Sequence, residues 1–175
     1  MLDWSRDGKT FLVIYLKDKK HRLGLAGKSD KAVRELTELK VRFSDSVVGR
    51  LSPDGSKVLF TDGDPKQKDA YKWGMSSQPH VLEVATGKRE PIAEFPANAR
   101  ALGVAWSPNG KRIAYTWVQL HPEWLKKDRV TVEDDAMATE AFLMVADTDG
   151  RNAKTVSSGK NNSVTNSIFG SIDWR

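Results

Sequence analysis

The residue types that most often carry chemistry are few in this chain and stand apart from one another. The three histidines, His21, His80 and His121, are far apart in the sequence and show no metal-ligand spacing. There is no cysteine, no Gly-x-Ser-x-Gly motif and no glycine-rich phosphate loop. The sequence therefore predicts no metal site, no cofactor and no assembled catalytic set.

Three serines and a run of acids are the remaining candidates for chemistry. Ser5, Ser52 and Ser107 each open a segment rich in turn residues, where a hydroxyl ordinarily bonds the local backbone instead of acting as a nucleophile. The acids at 133–135 could supply oxygen ligands to a hard cation, but they lack the alternating spacing of a calcium loop. Local turn bonds and solvated acids are the favoured interpretation.

Two long segments, 62–79 and 118–140, hold most of the side chains suited to binding. Long loops on a rigid scaffold are where binding residues concentrate. In one alternative, the two tryptophans of these segments fold back over the protein and the acids are only solvated. The candidate partner-binding residues are Tyr71, Trp73, His121, Glu123, Trp124 and Arg129.

The elements that must position these segments are indicated by a turn that is written three times. The copies are WSPNGK at 106–111, LSPDGS at 51–56 and WSRDGK at 4–9. Proline presets φ for the first central position, Asn or Asp tolerates the next, and glycine takes the left-handed position without steric cost. Each copy predicts a tight reversal between two antiparallel strands.

Each turn belongs to a unit of four strands. The second strands are predicted at 11–15, 58–60 and 113–117, apolar on both faces and hence covered on both sides, and the third strands at 22–25, 80–84 and 141–146. The fourth strands are predicted at 32–36, 90–93 and 153–156, with Pro91 marking an outer edge. The turn glycines recur at about 50 residues, which is close to the period of a propeller blade and favours a propeller over a sandwich.

The predicted architecture is an all-β propeller of four-stranded antiparallel blades, about three in this chain. Blade one covers about 1–40, blade two about 44–97 and blade three about 100–158, and 164–175 is the first strand of a further blade. The chain starts and stops at the same point of the repeat. We therefore expect part of a six-bladed propeller, a homodimer formed by blade or strand completion, or an open arc of three blades.

The repeat resembles that of the TolB-like propellers, which are similar to WD repeats. The likeness rests on an aromatic residue followed by Ser-Pro-Asp/Asn-Gly-Lys, the strand at 113–117, the strand at 141–146 and the Asp-Gly at 149–150. Blade two departs from it at Leu51 and Ser56, and blade one at Arg6. The resemblance implies the fold and a periplasmic or secreted origin as one option, and it covers members that are protein-docking platforms, lyases and domains attached to peptidases.

Functional expectations follow from the scaffold and from the lack of a catalytic set. We expect a non-enzymatic scaffold that binds a protein or peptide partner through its long-loop face, defined as segments 62–79 and 118–140. The alternative is a propeller-type hydrolase or lyase using Asp134, Glu140 and His121, or the structural propeller domain of a larger enzyme.

Bulk composition agrees with one globular domain. The chain has 175 residues, is 39% hydrophobic and carries a formal charge of +5. Its densest basic cluster, 17–22, falls where a loop between strands is expected and lacks a nucleic-acid motif, so we expect no nucleic-acid partner. No apolar run suits membrane insertion and no signal peptide is readable, so the compartment is left open.

Overall fold

The computed structural model describes residues 1–41, 47–64, 66, 77–93, 95–121, 138–160 and 172–174. These residues form three four-stranded antiparallel sheets. The first sheet holds β1 (Asp3–Trp4), β2 (Thr10–Lys17), β3 (Lys20–Gly27) and β4 (Arg34–Glu38). The second holds β5 (Gly49–Leu51), β6 (Lys57–Asp62), β7 (Gln78–Glu83) and β8 (Arg89–Pro91). The third holds β9 (Ala99–Trp106), β10 (Arg112–Leu120), β11 (Ala138–Asp147) and β12 (Lys154–Lys160).

Each sheet is a simple meander in which strand order follows chain order. This is the blade predicted from the repeat, and it confirms the all-β class. Pro91 lies in β8, the outermost strand of its sheet, where a missing N–H does no harm, as predicted. Of the predicted further strand at 164–175, only 172–174 are described, and they form no strand.

All three outer strands differ from their predicted bounds: β12 covers Lys154–Lys160 instead of 153–156, and in the other two a competing hydrogen bond accounts for the shift. β4 begins at Arg34 instead of residue 32, since the Asp30 carboxylate accepts from the Gly27 N–H (2.6 Å) and holds a turn before it. β8 ends at Pro91 instead of residue 93. The Ala93 N–H donates to the Asp149 carbonyl of the next sheet at 2.9 Å, which takes that residue out of its own blade.

The core consists of two layers, one between each pair of successive sheets. Leu12, Leu23, Phe60 and Leu82 are fully buried in the first layer. Leu59, Val104 and Ile113 are fully buried in the second. β6 and β10 are therefore almost wholly buried, as predicted.

The prediction that every second strand is covered on both sides was wrong for β2. Val13 and Tyr15 are only half-buried and Leu16 is 65% exposed. Among the described residues, the first sheet packs against the second sheet and no sheet covers its other face. Burial of an inner strand therefore depends on the position of its blade as well as on its own pattern.

Turns between third and fourth strands fasten each sheet to the one before it. Arg34 donates from Nη2 to the Val84 carbonyl (2.7 Å) at the turn of the second sheet. Gly150, at φ +86°, makes the equivalent approach in the third sheet, and a Cβ there would lie 2.6 Å from the Ile92 Cβ. Only glycine permits both that backbone conformation and that proximity.

Candidate functional site

Both long segments leave the same end of adjacent blades. The chain leaves β6 after Asp62 and returns at Ser77, and it leaves β10 after Leu120 and returns at Ala138. Each is a connection from the second to the third strand, so both emerge opposite the repeated turns. Five predicted binding residues lie outside the described residues: Tyr71, Trp73, Glu123, Trp124 and Arg129. The same holds for the acids at 133–135.

The bases of the two segments are fastened to one another through β9. Ser77 forms a parallel bridge with Arg100, its carbonyl accepts from the Ala101 N–H (3.0 Å), and its hydroxyl donates to the Ala101 carbonyl (3.0 Å). At the other segment, the Leu120 N–H donates to the Asn98 carbonyl at 2.9 Å. The strand between them thus holds the return of one segment and the departure of the other in fixed relation.

His121 is the one predicted binding residue that the structure describes, and it is half-buried directly after β10. Glu140, its partner in the catalytic alternative, is the register partner of Gln119 on the adjacent strand. The two residues therefore lie on neighbouring strands at the long-loop end. Asp134, the third member, lies outside the described residues.

A buried polar cluster lies beneath the first long segment. Asp62 is fully buried, and its carboxylate accepts from Arg89 Nη2 at 2.6 Å through Oδ2. Oδ1 of Asp62 accepts from the backbone N–H of Lys40 (2.7 Å) and of Gly63 (2.8 Å). Arg89 also donates to the Glu38 carbonyl (3.2 Å) and lies 5.3 Å from the centroid of the Phe60 ring. The cluster joins the end of the first sheet to the second.

His80 completes this cluster. Its ring stacks on Phe60 with centroids 5.6 Å apart, and Nδ1 lies 3.1 Å from the Gln78 carbonyl. Burial, and after it the positive charge of Arg89, lowers the pKa of His80 to about 4. The imidazole is therefore neutral at neutral pH and packs on Phe60 within the second sheet.

The repeated turns share one hydrogen-bond network. In the copy at 107–112, the Ser107 hydroxyl donates to Asn109 Oδ1 (2.8 Å), which accepts from the Lys111 N–H (3.0 Å), while the Arg112 N–H donates to Ser107 Oγ (2.9 Å). The same bonds recur from Ser5 and from Ser52. This confirms that the serines serve the turns.

In two of the three turns an Asp stands in the place of Asn109, so a charged carboxylate accepts the hydrogen bonds of the network. The Ser52 hydroxyl and the Ser56 N–H lower the pKa of Asp54 to about 2. In the first copy, the Ser5 hydroxyl and the Lys9 N–H lower the pKa of Asp7 in the same way. These acids are turn elements and are occupied by their local bonds.

The repeated turns lie at the end of the molecule opposite the two long segments, and we call this end the turn face. A cavity of about 410 Å³ opens there. Its wall is built from the last residues of the innermost strands and from residues 173–174. Asp3 Oδ2 accepts from the Leu51 N–H (2.8 Å), and Trp106 Nε1 donates to the Arg50 carbonyl (3.1 Å). These bonds cross from blade to blade and fix the shape of the wall.

Sequence reasoning missed both the Asp62–Arg89 pair and the cavity. Asp62 had a weak sequence signal, because it closely follows the apolar run at 58–60, whereas its full burial is seen only in the structure. The signal for the cavity was the aromatic position of the repeated turn, occupied by Trp4 and Trp106 and again by Trp174. No group of three or more His, Asp or Glu side chains within the described ranges could hold a metal ion. In the same ranges, no helix has the length and apolar character needed to cross a membrane.

Comparisons with known proteins yield structural likeness alone. No protein-family model matches the sequence, and no curated protein matches it. A solved structure described as a TolB from Agrobacterium tumefaciens superposes with a TM-score of 0.63 at 18% identity, covering 98% of this chain and 52% of that one. The chain thus spans about half the length of that TolB structure.

Two further structures extend the likeness. An oligogalacturonate lyase in complex with manganese has a TM-score of 0.59 at 16% identity, over 89% of this chain and 38% of the lyase. The Cps50 (Swd1) β-propeller domain of Myceliophteria thermophila has a TM-score of 0.52 at 17% identity, over 93% of this chain and 42% of that one.

Three meander sheets, stacked face to face and alike in their turns, define a β-propeller protein. The similar solved structures narrow down the type of propeller fold. The fold is that of the TolB-like and WD-repeat-like propellers, and the three sheets of this chain superpose on part of such a propeller.

Proposed function

We propose that this chain is a non-enzymatic propeller module that binds a protein or peptide partner through its long-loop face. The observation that carries the proposal is the common base of segments 62–79 and 118–140. They leave the same end of adjacent blades, and Ser77, Ala101, Asn98 and Leu120 hold their bases together. A rigid base lets two long segments present one surface to a partner at low entropic cost.

Residue types within these segments suit a protein interface. Trp73 and Trp124 offer large aromatic area, and Tyr71, Glu123 and Arg129 offer polar contacts around it. Aromatic anchors within a polar rim supply most of the binding energy in typical interfaces. At the start of the first segment, Asp62 is bonded to Arg89 and to the Lys40 N–H of the first sheet, and it serves the packing of the scaffold.

Site-specific photo-crosslinking tests the proposal. A photoreactive residue placed at position 73 or 124 should capture one partner from an extract of the source organism, whereas the same residue at 151 on the turn face should not. With the identified partner, Trp73→Ala and Trp124→Ala should each weaken binding by roughly 1–3 kcal/mol, about 5- to 150-fold in Kd. The matched control Arg151→Glu should leave Kd unchanged.

Two results would contradict the scaffold function. Capture at position 151 with none at 73 and 124 would place the partner on the other face. Turnover of a peptide or polysaccharide substrate that is lost on His121→Ala would favour the hydrolase or lyase alternative. That alternative draws on His121 and Glu140, which lie on neighbouring strands at the long-loop end.

We also infer that the half-buried outer face of the first sheet needs a cover, either from further blades or from a second copy. Leu16 is 65% exposed and Val13 and Tyr15 are half-buried. Light scattering of the chain should therefore report a dimer or larger species. A stable monomer with cooperative unfolding would exclude the second copy as the cover.

A further inference from the structure

The cavity on the turn face gathers equivalent positions of the repeat around one opening. Its wall includes the residue before the aromatic position in every copy, and these residues are Asp3, Arg50, Ala105 and Asp173. It also includes the aromatic position itself, occupied by Trp4, Trp106 and Trp174. Both charge signs and three indole rings therefore surround a space of about 410 Å³, within the size range of small-ligand pockets.

Two arginines line this cavity without an ion-pair partner among the residues that the structure describes. Arg6 replaces the proline found at Pro53 and Pro108 in the other turns, and within the same residues its side chain forms no hydrogen bond. Arg50 uses Nη1 to donate to the carbonyls of Leu2 (3.2 Å) and Gly49 (3.0 Å), which fixes its side chain. The cavity thus offers one held guanidinium and one exposed guanidinium to an anion.

Acceptor and apolar groups lie beside these cations. Asp3 uses Oδ2 for the Leu51 N–H, and in the described part of the chain its Oδ1 has no hydrogen bond. Trp4 is 59% exposed, Trp174 is half-buried and lines the same cavity, and Trp106 is buried and donates from Nε1 to the Arg50 carbonyl. A ligand that satisfies this wall needs an anionic group, an N–H donor within a short span, and an apolar or aromatic group.

We propose that the turn-face cavity binds the carboxyl-terminal end of a peptide whose last side chain is apolar or aromatic. The terminal carboxylate would pair with Arg6 and Arg50, the last peptide N–H would donate to Asp3, and the side chain would pack on Trp4 and Trp174. A free carboxyl terminus carries all three groups on one residue, whereas an internal acidic side chain lacks the adjacent fixed N–H geometry. This site lies at the opposite end of the blades from the long-loop face and does not depend on the function proposed for that face.

Indole N–H signals of the full-length chain, labelled with ¹⁵N, provide the readout. The probes are the free acid of N-acetyl-Ala-Ala-Phe and its carboxamide, which differ only in the terminal charge. We expect the free acid to shift the signals of Trp4 and Trp174, assigned by Trp→Phe substitution, and the carboxamide to bind about tenfold or more weakly. Binding of a partner at the long-loop face should be unaffected by either probe.

One variant and one control localise the carboxylate. Arg6→Gln, at an exposed position without a hydrogen bond in the described structure, should abolish the preference for the free acid. Arg151→Gln, an exposed arginine outside the cavity, should keep it. Equal affinity for the two probes, or no shift at Trp4 and Trp174 at millimolar peptide, would overturn the proposal. A tri-uronate saccharide that binds there more tightly than the peptide acid would also overturn it and assign the cavity to acidic sugars.

Discussion

The Asp62–Arg89 ion pair lies within the second sheet and is expected to hold in place the two groups that bond the Lys40 N–H and the Glu38 carbonyl at the end of the first sheet. Asp62 is fully buried, accepts three hydrogen bonds and lies 2.6 Å from Arg89 Nη2. Arg89→Met leaves a buried carboxylate without its counter-charge, which costs about 3–5 kcal/mol of the free energy of unfolding. Asp62→Asn keeps an acceptor for the N–H groups of Lys40 and Gly63 but removes the charge, so we expect a loss of about 1.5–3 kcal/mol.

A double-mutant cycle measured by urea denaturation separates the pair from its surroundings. Because each single change removes the same contact, the double variant should be less destabilised than the sum by about 1–3 kcal/mol. The matched control is the exposed pair Lys88–Glu90, at 3.0 Å, for which the coupling should stay below about 1 kcal/mol. A coupling for Asp62–Arg89 no larger than that of Lys88–Glu90 would refute the assignment of a strongly coupled buried pair.

Three further changes probe the packing of this fold. The pKa of His80 is lowered to about 4 in the folded state, so the unfolded chain binds the proton first as the pH falls. The free energy of unfolding should therefore fall from pH 6.5 towards pH 4, by up to about 1.4 kcal/mol per pH unit. Urea denaturation measured across this pH range should show a smaller fall in His80→Phe. In Gly150→Ala the added Cβ meets Ile92 and Ala93, so the free energy of unfolding should fall by about 2–5 kcal/mol. The control Gly8→Ala, where nothing lies within 4 Å of the added Cβ, should lose about 1–2 kcal/mol. Equal urea midpoints for the two variants would contradict this prediction. Gly110→Val forces a β-branched residue to φ +68° and should lower the free energy of unfolding by about 1–3 kcal/mol. Asn109→Asp introduces the residue that the other two turns carry and should be much less destabilising. Equal melting temperatures for the two variants would show that the turn is assigned wrongly.

The sequence predicted those parts of the fold whose causes are local. Among the described residues, the hydrogen bonds of the turn from Ser107 to Gly110 stay within the turn and the next two residues, so six consecutive residues contain the whole network. Strand order followed because a meander joins neighbours along the chain. By contrast, the contact of Asp62 with Arg89 spans 27 positions, and the start of β4 depends on a carboxylate at Asp30. Neither of these interactions leaves a periodic pattern in the sequence.

The candidate sites differ from the fold in how they arise. The long-loop face was predicted from segment length and residue type, and the structure adds its base at Ser77 and Leu120 without describing its aromatic residues. The turn-face cavity was not predicted, since Trp4 and Trp106 each have a sufficient local explanation as the aromatic that precedes a turn. Their common wall exists only after three blades stack.

The repeated sequence unit explains how such a cavity can gain residues suited to binding a ligand. Stacking equivalent blades brings equivalent positions to one opening, so any residue that departs from the repeat changes that opening without disturbing a blade. Arg6 stands where Pro53 and Pro108 stand, and Arg50 stands where Asp3 and Ala105 stand. The turn networks from Ser5 and Ser52 form alike despite these changes. Because the turn forms with either residue at position 6, the turn itself does not require Arg6, and its position beside Arg50 at one cavity is a property that a ligand would use.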